Sequence, residues 1–172
     1  QSPPKVTGLL EGGFVVVWID ELSNYAQEGD IYAQIHSNNG SVKVPQFKAA
    51  SSGRKPKIVA FEGGFVITWY NSTSLYACLF HLNGTANGNC FQVDTISSVS
   101  TFHYCLTMLK TITQEQFVIA YYEGNYAISQ RFDTSGMPLG DPVVISNSPT
   151  YFMENLSVYR WMLCSSICCR FY

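Results

Sequence analysis

A seven-residue block occurs three times in this chain at a nearly constant interval, and that recurrence limits the folds open to it. Gly12-Gly13-Phe14-Val15-Val16-Val17-Trp18 recurs as Gly63-Gly64-Phe65-Val66-Ile67-Thr68-Trp69. It recurs again, altered, as Glu115-Gln116-Phe117-Val118-Ile119-Ala120-Tyr121. Self-similarity at a period of about 50 residues marks stacked or radial repeat architectures. In each copy an aromatic residue follows four positions after the phenylalanine. In an extended strand that spacing puts both rings on one face. Phe14, Trp18, Phe65, Trp69, Phe117 and Tyr121 are therefore expected to form a repeated core.

A second block follows each first one. Tyr32-Ala33-Gln34-Ile35 matches Tyr76-Ala77-Cys78-Leu79 and Ile128-Ser129-Gln130-Arg131. Six residues after the third position comes a glycine, at Gly40, Gly84 and Gly136. Seven further on comes an apolar residue, at Phe47, Phe91 and Val143. This spacing predicts a β-hairpin turning at Asn39-Gly40, Asn83-Gly84 or Ser135-Gly136, because such dipeptides tolerate the positive φ of tight turns. Apolar stretches at 6–10, 58–61 and 104–109 precede the first block and supply one more strand each. The expectation is an all-β chain of three four-stranded antiparallel units. They cover residues 1–54, 55–102 and 103–150, and residues 151–172 form a Cys-rich tail or the start of a fourth unit. Val, Ile, Tyr, Phe, Trp and Thr dominate the strand segments, as sheets favour. Insertions fall between strands, in the polar stretch 20–30 and around 97–102, where loops absorb them at little cost.

The motif Gly-Gly-Phe-Val-x-x-Trp, then Tyr-Ala-Gln, then Asn-Gly, then a hydrophobic strand resembles the short β-propeller-like repeats found in tandem in large secreted and surface proteins of bacteria and protists. The likeness covers about residues 5–150. The third unit departs from it, with Glu115-Gln116 for Gly-Gly and Tyr121 for Trp. The resemblance implies four-stranded blades and an extracellular or cell-surface role. It implies no shared catalytic residue. Propellers close with four to eight blades, so three units leave ends to be covered. The chain is then a piece of a longer repeat protein, an open or distorted barrel, or a unit completed by neighbouring copies.

Composition narrows the compartment. The chain of 172 residues is 47% hydrophobic and only 13% charged, with a formal net charge of -2. That apolar content excludes disorder. The absence of a basic stripe argues against nucleic acid. No apolar run approaches the roughly 20 residues of a helical membrane span. Four N-x-S/T sequons begin at Asn39, Asn71, Asn83 and Asn155, and glycans there would supply the solubility that charge does not. A secreted, glycosylated, extracellular protein is the expectation.

Six cysteines, Cys78, Cys90, Cys105, Cys164, Cys168 and Cys169, permit a disulfide set. Cys78 and Cys90 each lie six residues from Gly84 on opposite arms of one predicted hairpin, which makes them cross-strand neighbours and a candidate staple. Equivalent positions in the other units hold Gln34 with Gln46, and Gln130 with Pro142. The other four cysteines allow three pairings, and a tie from Cys105 to the tail would anchor the terminus. With no C-x-x-C spacing, no metal site is expected.

Catalytic patterns are missing. There is no G-x-S-x-G elbow and no H-E-x-x-H. His36 takes the place of Phe80 and Phe132, so packing is its expected role, while His81 is expected in solvent. Asp20, Glu21, Glu28 and Asp30 are read as a solvated acidic loop rather than a calcium site. Tyr25 and Tyr70 are the aromatics expected near loops and open to ligands. The sequence thus points to a non-enzymatic structural protein without a cofactor. It would assemble as a homo-oligomer or surface filament, or with further repeats of a longer chain. The alternative is a secreted module binding glycans or a protein through the loops at 20–30 and 97–102.

Overall fold

A computed structural model of the chain describes residues 3–20, 28–96, 102–111, 114–124 and 126–146. Among these there is no helix. Eleven antiparallel strands run in order: β1 Lys5–Gly8, β2 Phe14–Asp20, β3 Gly29–His36, β4 Val42–Phe61, β5 Gly64–Tyr70, β6 Ser74–His81, β7 Phe91–Thr95, β8 Tyr104–Lys110, β9 Glu115–Glu123, β10 Tyr126–Asp133 and β11 Val143–Ser146. Strands β1 to β7 form one sheet in chain order, and β8 to β11 form a second.

The predicted hairpins are present. Gly40, Gly84 and Gly136 each take a φ between 82° and 86°. At each turn the same two backbone bonds close the loop, for example His81 N–H to Thr85 O and Gly84 N–H to His81 O, both at 2.9 Å. The second glycine of the first block has a steric cause in two units. A Cβ on Gly13 would strike the carbonyl oxygen of His36, and one on Gly64 that of Phe80.

One strand departs from the expected pattern. The fourth strand of the first unit and the first strand of the second are a single element, β4. It pairs with β3 up to Gly53 and with β5 from Arg54 onward. The handover is bent, with positive φ at Ser52 and Lys55. Gly53 fits here because a Cβ would meet Ile31 and Trp69.

Two apolar layers hold the molecule together. The first joins Val15, Val17, Ile31, Ala33 and Ile35 of β2 and β3 to Phe65, Ile67, Trp69, Cys78 and Phe80 of β5 and β6. The second joins Val66, Tyr70, Leu75, Ala77 and Leu79, from the opposite face of β5 and β6, to Tyr104, Phe117, Ile119, Tyr121 and Phe132. Side chains alternate across a strand, so β5 serves both layers at once. Every residue of β5 is buried. In β2, by contrast, Val15 and Val17 are buried while Phe14, Val16 and Trp18 are only half-buried.

Candidate functional site: the faces between units

The two junctions are built from equivalent parts. At the first, the ring of Phe47 on β4 lies 5.7 Å from Phe80 of β6, which stacks on Phe65 of β5 at 5.4 Å. At the second, Phe91 of β7 lies 5.4 Å from Phe132 of β10, which stacks on Phe117 of β9 at 5.1 Å. An aromatic from the fourth strand of one unit thus caps a ring pair of the next. The turn glycine completes the seat. A Cβ on Gly84 would press on Phe47 and Val44, and one on Gly136 on Phe91 and Leu79. Both glycines keep the turn backbone close to the capping ring.

Polar groups cross the same junctions. The Glu11 carboxylate accepts the N–H of Gly63. The Glu115 carboxylate accepts the N–H of Glu62 at 2.7 Å and pairs with Lys110 Nζ at 2.9 Å. The Glu62 bond first, and then Lys110, holds the Glu115 carboxyl below the ordinary carboxylate value. Tyr104 reaches from β8 into the bend of β4. Its hydroxyl lies 2.7 Å from the Lys55 carbonyl and 2.9 Å from that of Thr68, and it accepts from Thr68 Oγ1 at 3.4 Å. Burial pushes the Tyr104 phenol well above its usual value. Lys57 Nζ sits 5.3 Å from the centre of the same ring.

The first unit presents the equivalent face outward. Phe14 stacks on His36 at 4.8 Å, and Trp18 on Tyr32 at 6.2 Å. Among the described residues no third ring caps Phe14 and His36. A Cβ on Gly40 would meet nothing within 4 Å. Beside this face Lys48 pairs with Asp30, and Arg54 pairs with Glu28, which also accepts from Ser52. Two of the four acidic-stretch carboxylates are therefore engaged by cations, while residues 21–27, with Glu21 and Tyr25, lie outside the described residues. Among the described residues no three His, Cys, Asp or Glu side chains gather as metal ligands would.

The predicted site residues divide clearly. Cys78 and Cys90 form a disulfide, opposite each other one step beyond the pair Ala77–Phe91. In the third unit the equivalent Gln130 is buried and donates from Nε2 to Gly140 O at 2.9 Å, a hydrogen bond where the second unit has a covalent tie. Cys105 lies exposed on β8. Cys164, Cys168, Cys169 and Asn155 lie outside the described residues. Asn39 and Asn83 sit on exposed turns and Asn71 on a half-buried one. Phe65, Trp69, Phe117 and Tyr121 are core residues. Phe14 and Trp18, expected there with them, are only half-buried, because among the described residues no second sheet packs on their face.

One expectation is corrected. Tyr70 stands beside the Asn71 turn, as expected, but is not open to ligands; it is 1% exposed and packs edge-on against Phe102 and Tyr104. It ends β5, the strand covered on both sides, so its ring enters the second layer. Sequence reading missed Tyr104, Glu11 and Glu115. Their partners are backbone groups about 50 residues away, and no local spacing signals such a contact.

Comparison with protein-family models found no match, and comparison with curated proteins found none either. The Cys78–Cys90 disulfide is compatible with an extracellular setting. No helix among the described residues is long and apolar enough to cross a membrane.

Proposed function

We propose that this chain is an extracellular structural protein. Its three four-stranded, propeller-like units, at 1–54, 55–102 and 103–150, stack face to face and extend into a surface fibre or filament, and the chain has no catalytic role. One observation carries the reading: the middle unit is covered on both faces, while the first presents an aromatic face of the same design to solvent. Stacked repeats gain stability from each neighbour they meet, and an uncovered end is a place for growth. The disulfide and the sequons on exposed turns at Asn39 and Asn83 support an extracellular site.

The test is negative-stain electron microscopy of the native protein beside light scattering, with and without reductant. Regular filaments are expected. A strictly monomeric protein at high concentration contradicts the reading. Loss of filaments on reduction would place a disulfide between chains.

A second reading has its own support. Trp18 stacked on Tyr32, with Lys48 and Asp30 adjacent, is a flat aromatic surface with polar groups at its side, a form that suits a sugar ring. Saturable glycan binding that Trp18→Ala abolishes would bring this reading forward.

A further inference from the structure

We infer that the outward face of the first unit is a seat for β11 of a second copy of this chain, with Val143 entering beside Gly40, His36 and Phe14. The inference rests on the assembly reading above and assigns its contact.

The two internal junctions define the rule. Each needs a turn glycine, a stacked ring pair, and an apolar residue from the fourth strand of the preceding unit. Gly84, Phe80 and Phe65 receive Phe47; Gly136, Phe132 and Phe117 receive Phe91. The first unit holds the receiving half without its insert. Phe14 and His36 are stacked in the same way, and Gly40 has the same turn geometry. Gly84 and Gly136 are half-buried, whereas Gly40 is exposed.

The third unit holds the inserting half without its seat. Phe47 pairs with Ala33, Phe91 with Ala77, and Val143 with Ser129. Register therefore puts Val143 on the same face as the two capping phenylalanines. Val143 is 59% exposed, and Val144 and Ile145 beside it are also exposed. Among the described residues, the eight large exposed hydrophobics fall in the first and third units and none in the second. Val6 is one of them and pairs with Val16, which shares the outward face with Phe14 and Trp18. Among the described residues, both halves of one junction thus stand open on one chain. The contact they would make joins unlike surfaces, so it repeats head to tail and does not close as a two-fold pair. Valine in place of phenylalanine makes this junction weaker than the internal ones, which suits reversible association.

Sedimentation velocity on the full chain, over a wide concentration range, tests this. The wild type is expected to self-associate. His36→Asp blocks the seat and Val143→Asp blocks the insert, and each should weaken association about tenfold or more. An equimolar mixture of the two variants should form a discrete 1:1 dimer, because each retains the half the other lacks. Val143→Phe, which restores the capping ring, should tighten association about tenfold, and it stays informative if His36→Asp misfolds. Association that is unchanged from wild type in all three variants overturns the seat but leaves the assembly reading standing. Wild type that remains monomeric throughout overturns both, and is the result expected if β11 is covered by a segment of its own chain.

Discussion

Strands β2 and β5 carry nearly the same sequence and live in different surroundings. Phe-Val-Val-Val-Trp is a continuous apolar run, and Phe-Val-Ile-Thr-Trp is broken only by Thr68, whose hydroxyl donates to Tyr104. In β5 such a run is what a strand covered on both faces requires. In β2 only Val15 and Val17 have that cover, and Phe14, Val16 and Trp18 keep a core-like chemistry at a surface. The difference teaches that the same block serves a strand covered on both faces and one covered on a single face. The packing around the strand decides which.

The sharpest way to break this comparison is to truncate the equivalent rings. Phe65→Ala should cost about 3–5 kcal/mol, since Phe65 is fully buried in the first layer. Phe14→Ala at low protein concentration should cost about 1 kcal/mol, because its ring is half-exposed already. Urea denaturation measures both, and equal losses would mean that the two faces are equally covered.

Next in size is the tie that only the middle unit has. Cys78→Ser with Cys90→Ser should cost about 2–3 kcal/mol, as expected for a crosslink closing a short loop. The separation is 12 residues. Installing Gln34→Cys with Gln46→Cys should give the first unit a comparable staple, detected as a reductant-sensitive rise in Tm.

A smaller effect comes from the hydroxyl that joins the second and third units. Tyr104→Phe leaves the carbonyls of Lys55 and Thr68 without their shared donor and should cost about 1–2 kcal/mol. Its pH signature is directional. Burial first, and for Tyr121 also Asp94, holds both phenols above their usual value near 10. The folded chain therefore keeps phenol protons that the unfolded chain releases. Stability is intact below about pH 10 and falls as pH rises beyond it. Tyr104→Phe should make that alkaline decline shallower in a Tm-against-pH series.

The smallest expected effect is at Glu115, and its sign is opposite. Its carboxyl is held below the ordinary 4.5, so its contribution is present above that value and lost as pH falls through it. Glu115→Gln should lower Tm at neutral pH by about 1–2 °C and make the acid side of the profile flatter.

Much of this architecture was legible in the chain itself. The repeated Gly-Gly-Phe block, the segments rich in β-branched and aromatic residues and the Asn-Gly turns are local signals, and they located the strands and the hairpins. Equal offsets from Gly84 paired Cys78 with Cys90 because a hairpin register is set by its own turn. The burial of Tyr70 was not legible because a strand end and a loop start look alike in sequence when the residue is aromatic.

What the sequence determined was therefore local: strand positions, turn chemistry and the cross-strand disulfide, all consequences of contacts between residues near in the chain. What only the tertiary structure decided was which faces of the units meet. It ran β4 through two of them, sent Tyr104 to the carbonyls of Lys55 and Thr68, capped Phe80 with Phe47 and Phe132 with Phe91, and left Phe14 and His36 without a cap among the described residues. The physical reason is that burial belongs to a face and its neighbour together. Identical apolar patterns carry no record of whether that neighbour is there.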